Sequence, residues 1–276
     1  MTTSKRIEPI RRILVPLDGS KLCEAVIPYV AGFASATGAR LVLFRAADSE
    51  GAVAAADDYL EQIAAGIRKT GMGVATHSYA GQPAAAIVKA AREYEADIIA
   101  MTGHARPGGR KDLIGSAAQG VLSQCETPVL TLRTADTKWV QPSAIVVGLD
   151  GSEDAQLALK NAVSLAQQLK CELALVRAVE PVAPLGGAAR YYGAVDDFAE
   201  DYLAKLKDQL ASTGLKVTTH TGKRSPEQEL LGVAGSRPGS IIVVATSGLS
   251  GKSGVLGSTT DRLVRAQGHP IMAVPA

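Results

Sequence analysis

The chain repeats itself. Ile13-Leu14-Val15-Pro16-Leu17-Asp18-Gly19-Ser20 returns as Ile145-Val146-Val147-Gly148-Leu149-Asp150-Gly151-Ser152, an offset of 132. Leu41-Val42-Leu43-Phe44-Arg45-Ala46 returns as Leu173-Ala174-Leu175-Val176-Arg177-Ala178 at the same offset. From Val74-Ala75-Thr76-His77 and Val217-Thr218-Thr219-His220 onward the offset is 143, and it holds through Gln82-Pro83 with Ser225-Pro226 and Ile98-Ile99 with Ile241-Ile242. Gly115-Ser116 and Gly257-Ser258, like Pro128 and Pro270, stand 142 apart. Two length changes account for the register: eleven residues gained between the second and third strands of the second copy, and one lost before Gly257. A duplication restricts the fold more than any single motif, because each copy must be a unit that folds in the same way.

Each copy has the length of an ordinary domain. The predicted division is 1–135, a linker at 136–143, and 144–276. The stretch TADTKWVQPS from Thr134 to Ser143 carries no apolar periodicity, and Trp139 within it reads as a hydrophobic anchor. Within copy one, strands are expected at Ile13–Leu17, Leu41–Ala46, Val74–His77, Ile98–Met101 and Val129–Leu132. Helices are expected from about Ser20 to Thr37, with a kink at Pro28, and at Val53–Lys69, Pro83–Tyr94 and Ser116–Cys125. Pro83 suits a first helical turn, where its missing N–H costs nothing. Copy two follows the same order, with its corresponding helices beginning near Ser152, Val195, Pro226 and Ser258. Short apolar strands alternating with helices imply a parallel sheet, right-handed crossovers and both faces covered. Ligands of such sheets sit beyond the carboxyl ends of the strands, where strand order reverses.

Composition removes several classes. Apolar residues make up 46% and charged residues 20% of 276 residues, a globular balance. The net charge of +2 leaves no electrostatic footprint for nucleic acid or an anionic membrane. No apolar run approaches the ~20 residues of a membrane span, and MTTSKRIEPIRR leads into no signal-type hydrophobic segment. Cys23, Cys125 and Cys171 are odd in number and widely spaced, so they read as small buried hydrophobes in a reducing cytoplasm.

The loops carry the chemistry. Asp18 and Asp150 each follow a buried strand directly. Such an Asp either caps the next helix, the plainer reading, or accepts hydrogen bonds from ribose hydroxyls. After the fourth strand, copy one runs Thr102-Gly103-His104-Ala105-Arg106-Pro107-Gly108-Gly109 and arrives at Gly115-Ser116. Copy two runs from Ala245 through Gly248, Gly251 and Gly254 to Gly257-Ser258. Glycine lets backbone N–H groups approach a phosphate, and a helix opening on Gly-Ser points its positive end at the same anion. The bland alternative is a surface loop ending in an ordinary Ser cap. His77 and His220 are equivalent and read as structural, whereas His104 lies in the loop itself, where contact with a phosphate is the lesser reading.

At these residues the chain resembles the universal stress protein family in its tandem two-domain form. The resemblance spans nearly the whole chain. It rests on the strand-then-Asp opening, Asp97 before the fourth strand, the glycine loop leading to Gly-Ser, and the closing Thr127-Pro128-Val129 and His269-Pro270-Ile271. It implies an α/β fold of two tandem open parallel five-stranded sheets with helices on both faces. That fold is adenine nucleotide alpha hydrolase-like and Rossmann-like, here arranged as an internal pseudo-dimer. It also implies ATP, or ADP or AMP, as ligand, with Mg2+ admissible. Asp18 and Asp150 would meet the ribose, and the backbone of Ala46 and Ala178 would meet adenine. Thr102, Ala105, Gly115 and Ser116, and Ala245, Gly248, Gly251, Gly257 and Ser258, would hold the phosphates. The family motif G-x-x-G-x9-G-[ST] is imperfect in both copies. Thr102 and Ala105 replace glycines at unchanged spacing, while copy two keeps Gly248, has Ala245 for the other glycine and is one residue short.

Other readings fall short. A P-loop built on Gly251-Lys252-Ser253 needs glycine at 246, where Thr246 stands. Neither Asp-Gly-Ser turn is a dinucleotide fingerprint, and no G-x-S-x-G elbow exists. No poised acid/base pair emerges, so the chain is expected not to be an enzyme beyond slow, incidental ATP hydrolysis. The expected role is an adenine-nucleotide-binding module of the stress response, with an unidentified protein partner and a further homodimer left open. The alternative is a nucleotide-independent interaction protein. In it, Val129–Leu132 pairs with Ile271–Val274, and the insertion Pro181–Gly193, with Arg190-Tyr191-Tyr192, offers a contact surface.

Overall fold

The strands are apolar on both faces because helices cover both faces. A computed structural model of the chain describes residues 9–103, 114–132, 138–179, 189–247, 256–266 and 268–275, with backbone alone for 189–197. The first half runs β1 (Arg12–Pro16), α1 (Lys21–Glu24), α2 (Ile27–Thr37), β2 (Arg40–Ala47), α3 (Val53–Arg68), β3 (Val74–Ala80), α4 (Pro83–Glu93), β4 (Ile98–Thr102), α5 (Ser116–Gln124) and β5 (Val129–Leu132). The second runs β6 (Ala144–Gly148), α6 (Glu153–Leu169), β7 (Glu172–Ala178), α7 (Ala189–Gln209), β8 (Val217–Gly222), α8 (Pro226–Gly235), β9 (Ile241–Ala245), α9 (Ser258–Ala266) and β10 (Ile271–Val274). Ile13, Val15, Leu41, Leu43 and Ile98 pack under α2 and α3 on one face. Leu14, Val42 and Ile99 point the other way, toward α4 and α5. That alternation is the two-residue period of a strand.

The two five-stranded halves join into one ten-stranded sheet, ordered β3-β2-β1-β4-β5-β10-β9-β6-β7-β8. Pairing is parallel within each half. At the seam β5 and β10 run antiparallel, with Thr131 opposite Ile271, Leu130 opposite Met272 and Val129 opposite Ala273. The buried Thr131 hydroxyl donates to the Ile271 carbonyl at 3.2 Å. Below the seam α2 packs on α6. Gln168 of α6 accepts from the Ile10 N–H at 3.0 Å and donates to the carbonyls of Ile10 at 2.8 Å and Thr37 at 2.7 Å. One side chain thus ties the second half to backbone of the first.

Two expectations change. The helix expected from Ser20 to Thr37 is two helices, α1 and α2, separated at Ala25 and Val26. Pro28 lies in the first turn of α2, because its ring would clash with the carbonyl four residues back and cannot continue α1. The helix expected from Val195 begins at Ala189, so the last five residues of the 181–193 insertion are helical. Residues 181–188 lie outside the described residues, as do the side chains of Arg190, Tyr191 and Tyr192.

Trp139 anchors the linker as expected. Its ring meets Tyr29 edge-on at 5.2 Å and Phe33 at 5.6 Å. Gly32 makes room for it, since a Cβ there would stand 2.2 Å from the Trp139 Cβ. Replacing Gly32 by Ala is expected to lower unfolding stability by about 1–3 kcal/mol through overpacking. Urea denaturation measures it, and an unchanged midpoint would contradict this packing.

Candidate functional site

Strand order reverses between β1 and β4 and again between β6 and β9. A crevice opens at the carboxyl ends of each pair, where the topology of such sheets places ligands. The first is a cavity of about 660 Å³, lined among others by Asp18, Arg45, Ala46, Thr102, Gly115 and Ser116. The second, about 470 Å³, is lined among others by Asp150, Arg177, Ala178, Ala245, Gly257 and Ser258. Both volumes suit a small molecule. Ten of the thirteen residues singled out from sequence therefore gather in two equivalent places. The other three, Ala105, Gly248 and Gly251, lie outside the described residues, as does His104.

The aspartates do not cap the helices. Ser20 caps α1, accepting from the Cys23 N–H at 3.2 Å, and Ser152 caps α6, accepting from the Ala155 N–H at 3.1 Å. Each Asp instead closes a turn two residues long. Asp18 Oδ1 accepts from the Ser20 N–H at 2.8 Å. Asp150 Oδ1 accepts from the Ser152 N–H at 2.9 Å and its hydroxyl at 2.6 Å. Serine, sitting where the chain is still extended, takes the cap, and the aspartate before it is left to form an Asx turn. Gly19 and Gly151 carry φ of +86° and +90° in these turns, which β-carbon-bearing residues rarely adopt. Partial burial pushes the Asp18 carboxyl up, but hydrogen bonds from Ser20 outweigh it and hold the group below its ordinary value. It is therefore a carboxylate at neutral pH.

Opposite each Asp, a helix begins. The Gly115 N–H donates to the Gly103 carbonyl at 3.1 Å, and the Gly257 N–H donates to the Thr246 carbonyl at 2.6 Å. Both ends of the glycine-rich segment are thereby drawn together. A Cβ on Gly257 would stand 3.1 Å from the Thr246 oxygen, so the approach needs glycine. The first-turn N–H groups of α5 and α9 have no partner within their helices and carry the positive end of the dipole. The halves differ on the floor of the crevice. In the first, Thr102 is buried with its hydroxyl 3.4 Å from the Cys23 thiol. In the second, Ala155 and Ala245 stand at the equivalent positions.

A further duplicated arrangement went unread in the sequence. Arg45 at the end of β2 lies over the Tyr59 ring, 4.7 Å from its centroid, and Arg177 at the end of β7 lies over Tyr202 at 4.7 Å. The Tyr59 hydroxyl donates to Glu24 at 3.2 Å, whereas the Tyr202 hydroxyl accepts from Gln156 at 2.9 Å. Burial, and then the Glu24 charge, push the Tyr59 hydroxyl well above its ordinary pKa. The signal was present: Arg45 and Arg177 share the offset of 132, and Tyr59 and Tyr202 share 143.

Beside the crevices the histidines are structural in setting. His77 stacks on Tyr94 at 3.9 Å in the first half. In the second, His220 Nε2 lies 2.8 Å from Glu229. Arg224 donates to the two Glu229 oxygens at 2.9 and 3.0 Å, and its backbone N–H adds a third bond at 3.0 Å. Glu229 is only 2% exposed, and this partnership props the start of α8, whose Pro226 and Leu230 wall the second crevice. The first half has Ala86 there, so the repeat gives no hint of it. The three cysteines are free, but only Cys125 is fully buried, and Cys23 and Cys171 are half-buried.

A doubly wound α/β sheet, duplicated and carrying one switch-point crevice per half, defines a tandem α/β protein of Rossmann-like geometry. The chain belongs to the universal stress protein family, whose model matches residues 9–133 and 143–275. It is 26% identical over 137 residues to the universal stress protein MJ0531 of Methanocaldococcus jannaschii, covering 47% of this chain and 80% of that one. Among solved structures it is similar to a universal stress protein from Archaeoglobus fulgidus, with a TM-score of 0.74 at 20% identity over 96% of this chain and 98% of the other. A second, from Pseudomonas aeruginosa, gives a TM-score of 0.66 at 18% identity over 98% and 94%. These likenesses establish the fold. Among the described residues no helix is long and apolar enough to cross a membrane.

The hydrogen bonds from Arg224 hold the Glu229 carboxyl down to about 2, against an ordinary 4.5. A depressed folded-state value contributes stability above the unfolded pKa and loses it as pH falls toward the folded one. Glu229→Gln is therefore expected to cost about 1–2 kcal/mol at pH 7, since it weakens several charge-assisted hydrogen bonds but leaves the solvent-exposed Arg224 hydrated. The deficit should shrink between pH 4.5 and 2. Urea denaturation of both proteins across that range measures it, and a deficit independent of pH would contradict the assignment.

Proposed function

We propose that this universal stress protein binds an adenine nucleotide in at least one crevice and acts as a nucleotide-responsive binding module of the stress response. The carrying observation is the pairing, across each crevice, of an Asx-turn aspartate with the N-terminus of a Gly-Ser helix. In this reading the free oxygen of Asp18 or Asp150 accepts from ribose hydroxyls. The base lies along the backbone of Ala46 or Ala178, and α5 or α9 faces the phosphates. The residues fit such a ligand: the second crevice is walled by Leu149, Val176, Leu230 and Val244 on the base side and by Ser247, Ser258 and Thr259 on the phosphate side. Any Mg2+ would ride chiefly on the phosphates, in the usual manner of that ion. The second half is favoured, because Ala245 leaves space where Thr102 occupies the floor of the first. Among the described residues no group is poised for acid/base chemistry on a ligand, and binding rather than turnover is the proposed role, in a cytoplasm that keeps the thiols reduced.

Thr102 also supports a second reading for the first half. Its side chain, 6% exposed and bonded to Cys23, makes a packed wall where the family motif places glycine. A half closed in this way would serve as a structural companion or as a surface for a protein partner.

Calorimetric titration of ATP into the intact chain, Asp18→Ala and Asp150→Ala tests both. Asp150→Ala is expected to weaken binding at least tenfold, about 1.4 kcal/mol, with a smaller effect of Asp18→Ala. Absence of heat with ATP, ADP and AMP at millimolar concentration would overturn the nucleotide reading and leave the partner-docking one.

A further inference from the structure

Arg45 and Arg177 are half-buried arginines that line the two crevices. Among the described residues neither guanidinium forms a hydrogen bond or an ion pair. Their one contact of that kind is the face of Tyr59 or Tyr202, at 4.7 Å in both halves. Stacking fixes the plane of a guanidinium and leaves its N–H edge free to donate. The position of the guanidinium is also duplicated. A Cβ on Gly19 would meet Arg45 Nη1 and Nη2 at 3.1 Å, and one on Gly151 would meet Arg177 Nη1 at 3.5 Å. Each guanidinium therefore lies against the glycine that follows the Asp, on the opposite side of the crevice from the helix N-terminus assigned to the 5′-phosphates.

Resting on the nucleotide reading, the geometry points to a second anion subsite at the ribose edge. We propose that Arg45 and Arg177 select adenosine nucleotides that carry a phosphate on the 2′- or 3′-hydroxyl in addition to the 5′-phosphate. In related parallel-sheet folds an acidic side chain reads a free ribose hydroxyl, or an arginine nearby accommodates a ribose phosphate. Here both are present, side by side. The Asp carboxylate already spends one oxygen on Ser20 or Ser152, which leaves the other for a ribose hydroxyl that carries no phosphate. A planar fork with fixed orientation suits bidentate binding of a phosphate. The loops after β2 and β7 begin at the same place, so the bound phosphate would sit at the mouth of the crevice. The shared ligand chemistry is an adenosine bisphosphate unit, either free or as the nucleotide end of a larger cofactor such as coenzyme A.

AMP and adenosine 3′,5′-bisphosphate differ only in the ribose phosphate, so calorimetry with these two isolates the subsite. The 2′,5′-isomer completes the set. The intact chain should bind at least one bisphosphate ten or more times as tightly as AMP. In the Arg45→Gln/Arg177→Gln variant that ratio should fall to about one, whatever its affinity for AMP. Equal affinity of the intact chain for AMP and both bisphosphates overturns the proposal whether or not the variant folds. So does a ratio that survives in the folded variant. If AMP, ATP and the bisphosphates all fail to bind, the nucleotide reading itself has failed; if AMP binds but shows no disadvantage, only the ribose-phosphate subsite has. Coenzyme A binding at least as tightly as the free bisphosphate names the larger cofactor as the source, and weaker binding names the free nucleotide.

Discussion

The antiparallel pairing of β5 with β10 is the constraint on which the rest of the molecule depends. Each strand is the last of its half, and each would otherwise be an open edge with unpaired N–H and C=O groups. Joining them leaves only β3 and β8 at the rims of one sheet. The pairing also holds β4 and β9, the strands next inward, and therefore the position of the segments that follow them into α5 and α9. Because the seam is antiparallel while each half is internally parallel, the carboxyl ends of the two halves point toward opposite edges of the sheet. The crevices consequently open away from one another.

The helical layer supports that seam with polar as well as apolar contacts. Gln168 satisfies backbone groups of Ile10 and Thr37 that α6 would otherwise bury without partners. The first half does the equivalent work at its own start by another route: Asp97 accepts from the Arg11 and Arg12 N–H groups at 2.8 Å each and ties the head of β1 to β4. That bond gives a physical reason for an aspartate before the fourth strand. Position 240 of the second half holds Ser240, whose hydroxyl turns to the Arg237 carbonyl at 2.6 Å. The same fold is thus pinned by different side chains in its two copies.

Much of this was legible in the sequence. The duplication, the order of strands and helices and the switch-point loops follow from offsets and apolar runs, since both are local or strictly repeated. What escaped was what the repeat does not carry, or carries across its indel. The buried Glu229 with Arg224 and His220 has no copy-one counterpart beyond His77, so comparison of the halves is silent about it. Arg45 and Tyr59 are repeated, but the eleven-residue gain in copy two places the partners in different registers, and a stacked cation leaves no motif. Pro28 shows a different limit: its disruption of the helix was foreseen, but whether it kinks one helix or starts another depends on where the chain turns relative to β1. The Asp-to-Ser exchange of the capping role is of the same kind, decided by which residue stays extended before the first turn.

Whether these crevices hold adenine nucleotides decides the proposed role of the protein. Native mass spectrometry of the intact chain, sprayed with and without ATP, counts them directly. A mass increment of one nucleotide, or of two when both halves are competent, is expected, and the Asp18→Ala/Asp150→Ala double variant should need at least ten times as much ATP to show it. A chain that stays at its bare mass at saturating ATP, or a double variant that takes up nucleotide at the same ATP concentration as the intact chain, would contradict the nucleotide reading.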